Sequence, residues 1–121
     1  MHLTIPLEPK TKKNHSQIIQ CKGRPIVIPS KQYKQYEKDC GYFIDSLPFT
    51  TYDCPVNVKC EYYMATRRKV DLVNLQEATL DILVKYGVIL DDNSNIVASM
   101  DGSRVFYDKE NPRTEIEIEV L

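Results

Sequence analysis

RRKVDLVNLQEATLDILVKYGVILDDNSNIV, residues 67–97, holds the pattern from which the fold can be read. Between Asn74 and Tyr86 the apolar residues Leu75, Ala78, Ile82, Leu83 and Tyr86 recur at helical spacing, so one stripe of a helix faces a core. Asn74, Glu77, Asp81 and Lys85 recur at three- and four-residue steps and draw a polar line along the edge of that stripe. Gly87 supplies a left-handed C-cap. The apolar run Val88-Ile89-Leu90 then enters a sheet and delivers Asp91 and Asp92 to its edge. Leu80 and Val84, four residues apart and off the core face, form a small exposed strip suited to contact with a second copy.

Upstream of this stretch, Val56, Val58, Cys60, Tyr62 and Met64 alternate with Asn57, Lys59 and Glu61, the period of a half-buried strand. Leu47 to Pro55 links it to a helix that opens at Pro29-Ser30, with Ser30 as N-cap. That helix carries Tyr33, Tyr36, Glu37, Cys40, Phe43 and Ile44 at helical steps and runs to about Ser46, with Gly41 weakening it. Its tyrosines read as buried rings with exposed hydroxyls rather than as base-stacking platforms. His2 to Ile5 forms a first strand stopped by Pro6 and Pro9, followed by the polar loop KTKKNHSQ, a turn at Gly23-Arg24 and a short strand from Pro25 to Ile28.

Downstream, Asn93-Ser94-Asn95 turns into a strand at Ile96–Met100, and Asp101-Gly102 signals a hairpin returning through Arg104 to Tyr107. A turn over Lys109 to Pro112 leads to a last strand, Arg113 to Leu121. There Glu115, Glu117 and Glu119 form a solvated face opposite Ile116, Ile118 and Val120. This order gives an α+β fold: one domain over residues 1–121, a mixed β-sheet, and two main helices packed on one face.

A chain of 121 residues with 42% hydrophobic and 27% charged residues is a soluble globular domain with one core. A net charge of −1 excludes a uniformly basic nucleic-acid binder, so any such contact is made by local patches. Cys21, Cys40, Cys54 and Cys60 show no C-x-x-C pair, and with only His2 and His15 beside them they read as free thiols rather than a zinc site. No apolar run reaches membrane-spanning length and the N-terminus lacks a signal peptide's apolar core, so a cytoplasmic protein is expected.

Two features carry chemistry. Arg67, Arg68 and Lys69 form a run of cations, and Asp71 with the pair Asp91-Asp92 brackets the helix that follows. Clustered carboxylates beside a basic patch suit a divalent cation acting on a phosphate backbone. Taken singly, each acid is equally a solvated surface charge. Lys10, Lys12 and Lys13 read either as a solvated loop or as a phosphate-contacting arm.

The whole stretch resembles the core motif of the RusA family of Holliday junction resolvases: a basic run, D-x-D-N-L, a helix with a central Asp, and an apolar run ending in D-D. Here these are Arg67-Arg68-Lys69, Asp71-Leu72-Val73-Asn74-Leu75, Asp81, and Ile89-Leu90-Asp91-Asp92. The resemblance implies that Asp71 and Asp92 are catalytic ligands of Mg²⁺ or Mn²⁺, supported by Asn74, Asp81 and Asp91. It also implies that Lys10, Lys12, Lys13, Arg67, Arg68 and Lys69 contact DNA. The substrate it implies is a four-way junction, nicked by phosphodiester hydrolysis, and a homodimer suits two symmetry-related strands.

Two positions depart from the family pattern. The second acid of D-x-D is Val73, and the lysine often found three residues after the Asn is Glu77. Glu77, one turn into the helix, is a candidate third catalytic metal ligand in place of the missing acid. A catalytically inactive binder of branched DNA and a small protein-interaction module are the alternative readings.

Overall fold

β4 (Val56–Met64) organises the molecule, because its alternation commits one face to a core: Val56, Val58, Cys60 and Tyr62 are all buried. A computed structural model describes residues 1–12, 16–21, 23–29 and 31–121, with residues 16–21 and 24–29 described by their backbone. β4 is central in a mixed sheet of five strands among the described residues. On one edge it pairs antiparallel with β7 (Arg113–Val120), which pairs antiparallel with β1 (His2–Ile5). Its other edge is shared by β5 (Val97–Ser99) and β6 (Arg104–Tyr107), both parallel to it.

The Asp101-Gly102 pair therefore does not close a hairpin, contrary to the sequence-based expectation. β5 and β6 run in the same direction along one edge of β4, and the residues between them bulge outward. Asn57 holds the bulge: its Oδ1 accepts from the Asp101 amide at 2.8 Å and its Nδ2 donates to the Asp101 carbonyl at 3.2 Å. The Cys60 amide donates to Ser103 Oγ at 3.0 Å. Gly102 has φ 88° and lies against the Lys59 stem, where a Cβ would meet Lys59 carbons at 3.2–3.4 Å. An Asp-Gly pair reports a local need for positive φ; it does not report which strands the flanking residues pair with.

Two helices cover the buried face of the sheet. α1 (Lys31–Asp45) buries Tyr33, Tyr36, Cys40 and Ile44, and α2 (Leu72–Lys85) buries Leu75, Ala78, Thr79, Ile82 and Leu83. They join Leu3, Ile5, Ile116 and Ile118 in one cluster with the inward side chains of β4. Burying each large aliphatic side chain stabilises the fold by about 1.5–3 kcal/mol before entropy is counted. A polar link joins sheet and helix inside the core. The Thr79 hydroxyl donates to the Leu75 carbonyl at 2.9 Å, which leaves the buried Tyr62 hydroxyl as donor to Thr79 at 2.7 Å.

The α1–α2 contact gives Gly41 its purpose. A Cβ there would overlap the Tyr86 ring, whose hydroxyl donates to the Glu37 carbonyl at 3.1 Å. Burial pushes the thiols of Cys40 and Cys60 up to about 12, so both behave as small apolar groups.

Three further expectations change. Leu80 and Val84 are half-buried and packed against the core, so they do not form an exposed strip. The run Val88-Ile89 is buried but joins no named strand: Ile89 makes an isolated parallel bridge to Tyr52. A strand not expected from sequence, β2 (Ser16–Cys21), pairs antiparallel with β3 (Arg24–Pro29) in a separate two-stranded sheet that turns at Gly23, φ 77°. Ser30 lies outside the described residues. No helix among the described residues is long and apolar enough to cross a membrane.

Candidate functional site

The chain leaves β4 at Met64, passes through the basic run and enters α2 at Asp71. Asp71 has extended backbone (φ −89°, ψ 116°) and its Oδ1 accepts from the Val73 amide at 3.0 Å. It is the N-cap of α2, which therefore begins at Leu72 rather than at the expected Asn74. A cap of this kind contributes about 1 kcal/mol. One carboxylate oxygen is engaged in capping and the group as a whole is exposed. Val73, where the family pattern has its second acid, is 64% exposed on the first turn.

The polar line on α2 exists as expected, and the N-terminal loop lies against it. Lys12 Nζ pairs with Asp81 Oδ2 at 2.8 Å, and Lys12, Asn74, Glu77 and Ala78 wall a small hollow. Lys12 was expected on a phosphate. In this structure its ammonium pairs with a carboxylate of its own chain, in a partly exposed pair worth up to about 1 kcal/mol.

Beyond α2, two backbone bonds anchor the acid pair: the Tyr52 amide donates to the Val88 carbonyl at 3.0 Å, and the Leu90 amide to the Tyr52 carbonyl at 2.9 Å. Asp91 and Asp92 then lie in an exposed turn. Asp91 accepts from the Asp92 amide at 2.7 Å through Oδ1 and from Asn93 Nδ2 at 3.0 Å through Oδ2. Asn93 braces the turn in its own right, accepting from the Asn95 amide at 2.9 Å. The Asp92 carboxyl is held above its ordinary range, first by a hydrogen bond shared with Asp91, then by partial desolvation and the repulsion of Asp91, with Asp81 adding a little.

Among the described residues no three of His, Cys, Asp and Glu are gathered closely enough to hold a metal ion. Asp71, Glu77 and Asp92 thus do not form a three-carboxylate cluster. The adjacent carboxylates of Asp91 and Asp92 are oxygen donors of the kind a hard divalent cation takes. Mg²⁺ is commonly held by one or two carboxylates plus water and substrate phosphate, and a cation relieves the repulsion that favours a proton on Asp92.

The cations gather at the opposite end of this stretch. Lys10 and Thr11 from the N-terminal loop meet Thr66, Arg68 and Lys69 around a pocket of about 290 Å³, with Glu8 also on its wall. Two basic segments far apart in sequence thereby become one cationic surface leading to the α2 N-cap. Arg67 points elsewhere: its guanidinium stacks on the Tyr107 ring at 4.2 Å. Lys13 lies outside the described residues. Tyr107 was not singled out from sequence, because an aromatic in a short strand carries no signal of which loop folds onto it. Tyr33 and Tyr36 are buried and unavailable to bases.

Compared with known proteins, the chain matches the family model described as endodeoxyribonuclease RusA over residues 6–119 of its 121. No curated protein matches it.

Proposed function

The chain belongs to the RusA family of endodeoxyribonucleases, and on that premise we propose that it is a Mg²⁺- or Mn²⁺-dependent nuclease that nicks four-way junction DNA in the cytoplasm. The observation that best supports DNA as its substrate is the pocket in which Lys10 joins Arg68 and Lys69. A chain of net charge −1 needs its cations concentrated to attract a phosphate backbone, and here they are.

In this reading Lys10, Arg68 and Lys69 bind backbone phosphates and set the orientation of the duplex arm against the α2 N-terminus. Asp71 and Asp92 are the acids that the family pattern assigns to the cation, and Asp91 supports Asp92. Those acids would hold the cation, which would supply Lewis-acid activation of water and charge balance at the phosphate. Asn93 and the Val88–Leu90 anchor hold the acid pair in place for that purpose. Lys12 and Asp81 tie the N-terminal loop to α2. A two-fold dimer would present two such surfaces to the two strands to be cut.

One observation favours a second reading, a relative that binds branched DNA without cutting it. Val73 places an exposed aliphatic side chain where the family pattern has an acid, and no third carboxylate among the described residues fills the gap. The interaction-module reading has no observation in its favour. A labelled four-way junction titrated in EDTA tests binding, and Mg²⁺ added afterwards tests cleavage. Binding followed by nicking is the expected result. Binding without nicking selects the second reading, and failure to bind a junction removes both.

A further inference from the structure

We propose that Tyr107, with Arg67 stacked upon it, is a platform for an unpaired base of branched DNA, a role that rests on the nuclease reading above.

The position of Tyr107 comes from sheet register. β6 pairs parallel with β4, Tyr107 falls opposite Met64, and the Asp108 amide donates to the Met64 carbonyl at 2.9 Å, which fixes the end of the strand. Met64 lines the cationic pocket. The ring is therefore one strand away from the wall that holds Lys10, Arg68 and Lys69. It is 40% exposed, and its covering group is a guanidinium at 4.2 Å. No ion pair engages Arg67 among the described residues.

A second cation–aromatic pair, between β7 and β4 of the same sheet, shows what a purely structural version looks like. Arg113 lies over Tyr63 at 3.7 Å, but it is also bound to Asp108 at 3.0 Å and Glu115 at 3.2 Å, and its side chain is only 19% exposed. Phe106 stacks on Tyr63 at 4.9 Å. That assembly is neutralised and internally covered. Arg67 and Tyr107 keep both charge and ring available to solvent, beside a surface that attracts phosphate.

Every nucleobase has a π-face, so a ring and a guanidinium beside a phosphate site accept any base that is not already stacked on both sides. In an intact duplex both faces of each base are occupied. At a branch point an end base can leave its stack. The platform would thus add affinity for branched or single-stranded DNA over duplex, without reading sequence. Arg67 would continue the stack or move to a neighbouring phosphate when a base takes its place.

Three DNAs test this in EDTA: a four-way junction, a single-stranded oligothymidine and a fully paired duplex, against wild type, Tyr107→Leu and Tyr107→Phe. Loss of one base–aromatic stack lowers affinity by on the order of 10-fold. Tyr107→Leu should show that loss for the junction and the oligothymidine, keep its duplex affinity and melting temperature, and Tyr107→Phe should behave as wild type. Equal loss on all three DNAs with a lowered melting temperature would make Tyr107 a prop for the basic loop and overturn the proposal. Unchanged affinity of Tyr107→Leu for the oligothymidine overturns it too. Independently of any variant, 5-iododeoxyuridine at the crossover, irradiated with wild-type protein, should form its adduct at Tyr107; adducts absent from that residue sink the idea. If wild type binds none of the DNAs, the nuclease reading itself fails. Junction affinity in Tyr107→Leu equal to wild type removes only the platform.

Discussion

Replacing Lys10, Arg68 and Lys69 together by alanine removes the three cations that wall the pocket. If each contacts one phosphate, the slope of log affinity against log salt becomes shallower by about 0.9 for each, or about 2.7 in all. Between about 50 and 200 mM salt, a four-fold change, wild type then loses about 40-fold more affinity than the variant does. The variant should be far weaker at low salt, and the gap should close as salt rises. Lys12→Ala is the internal control. Its ammonium is 2.8 Å from Asp81, so it carries little charge toward DNA and its loss should change the slope by much less than the about 0.9 of one phosphate contact. Fluorescence anisotropy of a labelled four-way junction in EDTA measures both without cleavage. Arg68 and Lys69 are exposed and Lys10 half-buried, so stability should change by no more than about 0.5 kcal/mol per site. Parallel slopes for the triple variant and wild type would refute the reasoning and move the phosphate surface elsewhere. A Lys12→Ala slope shallower than wild type by about 0.9 or more would refute the pairing with Asp81 as the deciding contact.

Asp92→Asn should abolish Mg²⁺-dependent nicking and leave junction binding equal or tighter, since it removes a negative charge near phosphate; nicking at the wild-type rate would strike Asp92 from the ligands. Val73→Asp should be tolerated, because the side chain is 64% exposed and an anion in the first turn of a helix gains about 0.3–1 kcal/mol from the dipole. Cleavage should rise if the site lacks a ligand, while Glu77→Gln should change it by no more than a few fold. A loss of orders of magnitude in Glu77→Gln would instead identify Glu77 as the relocated acid. Gly41→Ala should destabilise the fold by roughly 1–3 kcal/mol in a urea titration: about 1 kcal/mol of helix propensity is gained, overpacking against Tyr86 costs about 1–3, and loss of the Tyr86–Glu37 bond costs about 1 more. Tyr86→Leu in the same chain should turn Gly41→Ala stabilising, and a Gly41→Ala that raises the urea midpoint by itself would contradict the packing argument.

The α2 stripe, the alternation of β4 and β7 and the order of the motif were legible without coordinates. So was the approximate helix start, which slipped by two residues because Asp71 was read as a ligand and not also as a cap. Short elements were less legible. β2 lies in a segment read as polar loop and turn, and it pairs only with the strand that follows it. Leu80 and Val84 fall off the strict helical stripe, yet the core reaches far enough round α2 to cover them.

Periodicity, capping and positive-φ turns depend on residues within a turn or two of each other, and these the amino-acid order alone determined: two helices, an alternating central strand, and acids and cations in a family-specific order. Tertiary structure decided who meets whom. Asp101-Gly102 bends an edge instead of a hairpin, because β4 offers one free edge to both neighbouring strands. Lys12 reaches Asp81 across 69 residues, while Lys10 joins Arg68 and Lys69 in one pocket. Arg67 finds Tyr107. Such pairings depend on distances between surfaces that only the packed sheet and helices bring together, and the electrostatic work each charge can do falls off with those distances.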